Sequence, residues 1–259
     1  MDVLQLQVSR WKERDGLLHG FLGRRGGKSI SPYASLNLSL RVGDDPQVVK
    51  DNVCDAKRAV GIHHGKIVLM KQMHGDRILE VREREIKEAG EGDAMVTQET
   101  RVFLGVLSAD CVPILFAADG TRLAAVAHAG WRGTLAGIGP KMVRYIKERC
   151  GVRPDALEAA LGPAIGPCGY EIGADVASAL IGKWGEIAED ALRRAGSRQF
   201  LDLKKLNRLL LEEAGVPSDQ IASVGPCTSC AADDFFSYRR EKSETGRQLS
   251  FIGWVEEQA

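Results

Sequence analysis

The chain is short of histidine, of net charge and of long apolar runs, and each shortage removes a class of protein. Lys plus Arg and Asp plus Glu both total 35, so the formal net charge is zero. A general nucleic-acid binder carries a basic footprint, and no nucleic-acid partner is expected here. A membrane span needs roughly 18 apolar residues in a row. The nearest approach, Leu104 to Ala118, is cut by Asp110, so no membrane association is expected. The first residues, Met1-Asp2-Val3-Leu4-Gln5, lack a basic stretch followed by an apolar run. No secretory signal is expected, and the setting is read as cytoplasmic. Six cysteines in a chain of 259 residues without an export signal are read as reduced thiols.

Familiar motifs are missing too. The chain has no G-x-G-x-x-G after a strand, no G-x-x-x-x-G-K-[ST], no H-E-x-x-H and no G-x-S-x-G. The usual signatures of Rossmann dehydrogenases, P-loop nucleotidases, zincins and serine hydrolases are therefore absent. No repeat of solenoid period and no low-complexity tract is visible. The lone pair Cys227-Thr228-Ser229-Cys230 has no second C-x-x-C or adjacent His, which reads as two partly buried thiols rather than a metal site.

What remains is an ordinary globular composition, 44% apolar and 27% charged, long enough for one large core. A single domain over residues 1–259 is expected. Residues 20–46, rich in Gly, Ser, Pro and Asn, read as irregular chain. Gln47–Val60 has helical spacing, and Lys66–Met70 reads as a strand. Arg82–Gly92 reads as a solvated charged segment. Val102–Ser108, Val112–Ala117 and Leu123–Ala127 are apolar at every position, the pattern of strands covered on both faces. Thr134–Cys150, Ala174–Trp184 and Leu203–Ala214 are expected helices, and Phe251–Val255 a final strand. Strands and helices mix without strict βαβ alternation, which favours an α+β class.

Chemistry-bearing residues gather beside the apolar strands. His74 follows one strand, Cys111 sits in Asp110-Cys111-Val112-Pro113, and His128 ends another. Two imidazoles and a thiolate suit Zn²⁺ and leave one tetrahedral position open. The same residues also allow a metal-free Cys111 nucleophile activated by His128, or simple structural roles. Asp110 is a candidate for supporting a ligand or handling a proton. Arg24, Arg132, Arg239 and Arg240 are candidate anion-binding residues, Arg132 beside the expected start of a helix. Trp131, Phe236 and Tyr238 are candidates for stacking on a planar base or for core packing.

Several segments carry a resemblance. They are Gly20-Phe21 with Arg24-Arg25-Gly26-Gly27, Pro32 to Leu38, Gln72-Met73-His74-Gly75, Asp93 to Thr97 and Ala109 to Pro113. His128-Ala129-Gly130-Trp131-Arg132-Gly133, Leu161 to Gly166, Phe235 to Arg240 and Thr245-Gly246-Arg247 complete the set, in order along nearly the whole chain. Together these resemble the purine nucleoside phosphorylase family of bacteria, also called the polyphenol oxidase (laccase-domain) or peptidoglycan editing factor family. Leu22-Gly23 departs from the Ser-Thr that the family often has there.

The resemblance implies a four-layer α/β/β/α sandwich with mixed sheets, similar to the catalytic domain of the cytotoxic necrotizing factors. It implies zinc on His74, Cys111 and His128, copper being the less favoured ion. The implied activities are phosphorolysis of adenosine, inosine, guanosine and methylthioadenosine, together with adenosine deamination. A copper-dependent polyphenol oxidase and a Cys/His hydrolase editing peptidoglycan precursors stand as alternatives.

Overall fold

The structure, a computed structural model, describes residues 3–82, 88–242 and 244–256. Strands form where apolar and β-branched residues run together. In the N-terminal half these are β1 (Gln5–Leu6), β2 (Leu17–Leu22), β3 (Lys66–Lys71), β4 (Ile78–Glu80), β5 (Glu88–Glu91) and β6 (Ala94–Thr97). The buried centre is β7 (Val102–Ser108), β8 (Val112–Ala118) and β9 (Ala124–Ala129). There follow β10 (Leu157–Leu161), β11 (Glu171–Ile172), β12 (Leu192–Ala195), β13 (Arg198–Leu201), β14 (Ile221–Ser223) and β15 (Gln248–Trp254). Helices are α1 (Pro46–Ala59), α2 (Trp131–Ala136), α3 (Ile138–Cys150), α4 (Ala174–Trp184), α5 (Glu186–Asp190), α6 (Leu203–Glu213) and α7 (Tyr238–Glu241).

Two six-stranded sheets carry the architecture, ordered β1-β2-β15-β7-β3-β5 and β14-β10-β8-β9-β6-β4. Both mix parallel and antiparallel pairs. Side-chain alternation along each strand sorts residues between layers. Leu115 and Ala117 of β8 join Val68, Leu104, Val106 and Ile252 in the core between the sheets. Ile114 and Phe116 point the other way, onto Met142, Ile146, Leu206 and Leu210 of α3 and α6. Phe103, Leu249 and Phe251 form the outer face of the first sheet, covered by Ala56 and Val60 at the end of α1. The result is an α+β single domain with helix, sheet, sheet and helix layers. Phe103, Leu104, Ile114 and Phe116 are wholly buried, each contributing roughly 1.5–3 kcal/mol of hydrophobic stabilisation.

Three expectations need adjusting. The helix expected over 134–150 is two: α2 begins at Trp131, and Gly137 in the left-handed region (φ 87°) breaks the chain before α3. The last strand is longer than expected and begins at Gln248, because its first residues pair with β7 along Gln248–Ser108 and Leu249–Leu107. The charged stretch contributes an edge strand, β5; residues 83–87 lie outside those described.

The irregular stretch after β2 is held by buried amides in place of a ladder. Asn52 of α1, fully buried, donates to Ser29 Oγ and to the Ser35 and Asn37 carbonyls, and accepts from Lys28 N–H. Asn37 in turn accepts the backbone N–H of Arg247 at 3.0 Å. The loop is thereby tied to the segment entering β15. A connection this long without regular structure needs such anchors.

Candidate active site

Strand register brings distant residues together. The β8–β9 ladder opposes Val112 to Ala129 and Pro113 to His128, and the β6–β9 ladder opposes Ala94 to Ala127. Cys111 just before β8, His128 at the end of β9 and Asp93 just before β6 therefore share one sheet end. His74 reaches the same place from the β3–β4 connection. Gln72 anchors that connection by exchanging two side-chain bonds with the backbone of Leu107 in β7, at 2.8 and 2.9 Å. The metal-binding atoms of His74, Cys111 and His128 all lie within 4.8 Å of one another. The two imidazoles meet edge to face, with centroids 4.9 Å apart.

Asp93 organises both histidines. Its buried carboxylate accepts the backbone N–H groups of Met73, His74 and Gly75 at 2.8–3.0 Å. His74 sits at φ 59°, an uncommon conformation that these three bonds help to hold. Asp93 Oδ1 also lies 3.0 Å from His128 Nδ1. Nδ1–H donates to the carboxylate, leaving His128 Nε2 for the cluster. In the sequence Asp93 carries no motif that marks this role. The available signal was a lone carboxylate opening an apolar strand.

The centre is electrostatically paired. Burial would push the Cys111 thiol up, but the charge and hydrogen bonds of His128, then His74, draw it down to about 6. Burial would lower His128, yet the Cys111 thiolate and Asp93 raise it to about 9. At neutral pH the cluster holds a thiolate facing an imidazolium. Gly130 makes room for it: a Cβ there would stand 3.0 Å from Cys111 Sγ and 3.5 Å from the His74 ring.

Asp110, at φ 97°, spends both carboxylate oxygens on the protein. Oδ1 accepts from Thr228 Oγ1 and Oδ2 from Arg239 N–H, each at 2.7 Å. It fixes the backbone beside Cys111, and both oxygens are already occupied as acceptors.

The four arginines divide. Arg24 donates to the Ala34 and Ala232 carbonyls and to Glu241 Oε1, and lies over the Phe236 ring. Arg240 donates to the Thr228, Ser229 and Phe235 carbonyls and to the same Glu241 oxygen. Both brace the chain. Arg239 bonds the Glu171 carbonyl and stacks on Tyr170, while exposed Arg132 lies over Trp131. Burial, then the field of Cys111, drives the Tyr170 hydroxyl up to about 12, and Arg239, Asp110 and Arg132 also act on it. Arg247, unassigned from sequence, is mostly buried within reach of Cys111, Tyr238 and Asp110; that burial lowers it from the usual arginine range. Tyr170 and Arg247 thus lie within electrostatic reach of Cys111, with Arg132 and Arg239 near Tyr170 and half-exposed Tyr238 beside Arg247. Phe236 is fully buried and Trp131 packs against the helix-side core.

The remaining histidines stand apart. His19 is buried and accepts from Val8 N–H, and His63 and His64 line a separate hollow of about 830 Å³. No helix among the described residues is long and apolar enough to cross a membrane.

Fold and site together define a layered α+β protein with a thiolate–imidazole centre, fit to hold a metal, set among arginines and tyrosines. A family described as "Multi-copper polyphenol oxidoreductase laccase" matches residues 18–255, and this chain belongs to it. It is 38% identical to "Purine nucleoside phosphorylase YlmD" of Geobacillus stearothermophilus, over 99% of this chain and 98% of that one. It is 36% identical to "Purine nucleoside phosphorylase YfiH" of Escherichia coli, over 97% and 99%. The crystal structure of a Bacillus licheniformis hypothetical protein YfiH superposes with a TM-score of 0.91 at 33% identity, covering 97% and 96%.

Proposed function

We propose that this chain is a zinc-dependent purine nucleoside phosphorylase. It would convert adenosine, inosine and guanosine, with phosphate, to free base and ribose 1-phosphate, and methylthioadenosine to adenine and 5-methylthioribose 1-phosphate; it would also deaminate adenosine with water to inosine and ammonia. The observation that carries this reading is the His74–Cys111–His128 cluster, oriented by Asp93, with Tyr170 and Arg247 within electrostatic reach of Cys111. The names of the relatives point the same way.

The donor set fits zinc, being two nitrogens and a sulfur, with a fixed tautomer at His128. Zinc bound there would supply Lewis-acid stabilisation of developing negative charge. The chain's own residues supply the rest. Arg132, Arg239 and Arg247 would supply positive charge to a phosphate that forms its bond to C1′ as the bond from C1′ to the base breaks. Tyr238 offers an exposed ring for the base. Tyr170 keeps its proton at neutral pH and can donate a hydrogen bond.

A multi-copper oxidase needs several His-rich centres. Of the five histidines here, only His74 and His128 share a cluster among the described residues. That count favours phosphorolysis over polyphenol oxidation. A hydrolase acting on cell-wall precursors has one specific observation behind it: Cys111, His128 and Asp93 line up as nucleophile, base and orienting carboxylate.

The test is to incubate purified protein with inosine, with and without phosphate, and assay ribose 1-phosphate alongside bound metal. Phosphate-dependent formation of ribose 1-phosphate with zinc bound is expected, and equal turnover without phosphate would overturn it. In a His74→Ala variant, loss of metal and activity together is expected. A variant that keeps both metal and activity would remove His74 from the ligand set.

A further inference from the structure

A second cluster of ligating atoms lies beside the first. The parallel pairing of β10 and β14, with Leu161 opposite Ser223, continues beyond the strands as a bridge between Ala164 and Cys227. The loop after β10 therefore runs alongside the turn at Cys227-Thr228-Ser229-Cys230. Cys168 on that loop comes against both cysteines of the turn. All three sulfurs lie within 4.8 Å of one another, and Cys168 Sγ is 3.1 Å from Cys230 Sγ. Among the described residues, this trio and the His–Cys–His cluster are the two groups of three such side chains that could hold a metal ion.

Details of the turn suit thiolates. Gly166 N–H donates to Cys227 Sγ at 3.2 Å, as in a metal knuckle where backbone amides point at sulfur. Ala231 and Cys230 N–H groups both bond the Cys227 carbonyl, closing the turn so that its two sulfurs face one way. Gly166 lets the loops touch: a Cβ there would stand 3.3 Å from Cys227 Cβ and 3.4 Å from Cys168 Sγ. Lys204 lies within electrostatic reach of Cys227, but its ammonium bonds the Val224 and Gly225 carbonyls.

We infer that Cys168, Cys227 and Cys230 form a second, all-sulfur site for a thiophilic cation, Zn²⁺ or Cu⁺, which clamps the two loops walling the first site. Three thiolates complete a trigonal shell for Cu⁺, or occupy three corners about Zn²⁺ with the fourth open. Cys168 and Cys230 are exposed, so an ion can enter from solvent. The clamp bears on the neighbouring residues directly. Thr228, inside the C-x-x-C turn, donates to Asp110 Oδ1, and the Thr228 and Ser229 carbonyls receive Arg240. The other loop leads to the Gly169 and Glu171 carbonyls that hold Arg239.

The experiment is a metal titration of stripped, fully reduced protein, with Zn²⁺ competed against a chromophoric chelator and, in a parallel anaerobic arm, with Cu⁺. Wild type is expected to take up two equivalents of ion, and both Cys168→Ser/Cys230→Ser and His74→Ala one each. Cobalt added to His74→Ala should give the sulfur-to-metal charge-transfer band of a thiolate-rich site, absent when the two serine substitutions are added. Filling by Cu⁺ alone supports the inference and assigns the ion. A single equivalent in wild type in both the Zn²⁺ and the Cu⁺ arms, two retained by the double serine variant, or a Cys168–Cys230 disulfide that persists in reductant would each overturn it. The wild-type count stands even if a variant fails to fold.

Discussion

Asp93 and His128 are bonded twice over. The Asp93 carbonyl accepts the His128 backbone N–H at 2.7 Å, and Asp93 Oδ1 lies 3.0 Å from His128 Nδ1. Backbone register and ring orientation are thus set by one residue, and the other carboxylate bonds hold the His74 turn. An Asn at position 93 keeps the size but carries no charge and has one acceptor oxygen where the carboxylate has two. Asp93→Asn should therefore lower metal affinity by about 10–100-fold, the usual effect of losing a carboxylate behind a ligating imidazole. Chelator competition measures it, and an unchanged affinity would refute the role.

Gly130 tests the spacing of the cluster. Its backbone is extended (φ −75°, ψ 173°), so Ala meets no conformational penalty, and any loss comes from the Cβ pressing on Cys111 Sγ. Gly130→Ala should cost about 1–3 kcal/mol, shared between stability and metal binding. Gly182 in α4 has open space around a built Cβ, so Gly182→Ala should stabilise by up to about 1 kcal/mol. Melting curves with and without metal separate the two contributions.

Metal uptake should release protons in a defined window. Cys111, drawn down to about 6, is already thiolate at neutral pH, whereas His128, raised to about 9, still carries the proton a cation must displace. Binding at His74–Cys111–His128 near pH 7.5 should release about one proton. Release should diminish above pH 9 and grow below pH 6 as Cys111 also protonates. Calorimetry of the Cys168→Ser/Cys230→Ser variant in buffers of different ionisation enthalpy counts the protons; no release at pH 7.5 would contradict the thiolate–imidazolium pairing.

His19 supplies a second pH dependence, away from the site. Burial holds it down to about 4 from 6.5, and Val8 N–H donates to its Nε2, a bond that needs that nitrogen unprotonated. The unfolded chain binds this proton first as pH falls, so the contribution is intact above 6.5, declines between 6.5 and 4, and is absent below. The total is about 3 kcal/mol. Urea denaturation across that range should show the decline in wild type and a shallower one in His19→Gln.

Much of the layered core was legible because covered strands are apolar at every position. The runs that became β7, β8 and β9 show this, and α1, α4 and α6 were visible in helical spacing. The α2–α3 break was not, since Gly137 reads as one small residue until its left-handed φ appears. The β11–β13 sheet escaped too, being short and largely exposed. His74, Cys111 and His128 were recognised through family motifs rather than spacing. Separations of 37 and 17 residues match no local pattern, and only the ladders around β9 cancel them.

Composition and periodicity alone determined the broad class: a neutral chain without a long apolar span, with enough covered strand and amphipathic helix for a layered α+β core. Local physics decides such things, because burial on one face or two writes itself into neighbouring residues. Which polar groups work together was settled only by tertiary structure. Asp93 joining two histidines, Arg247 lying near Cys111, Arg24 and Arg240 turning to Glu241, and Cys168 meeting the C-x-x-C turn all depend on which strand ends become neighbours. That pairing follows from the register of the whole sheet, and no short stretch of sequence contains it.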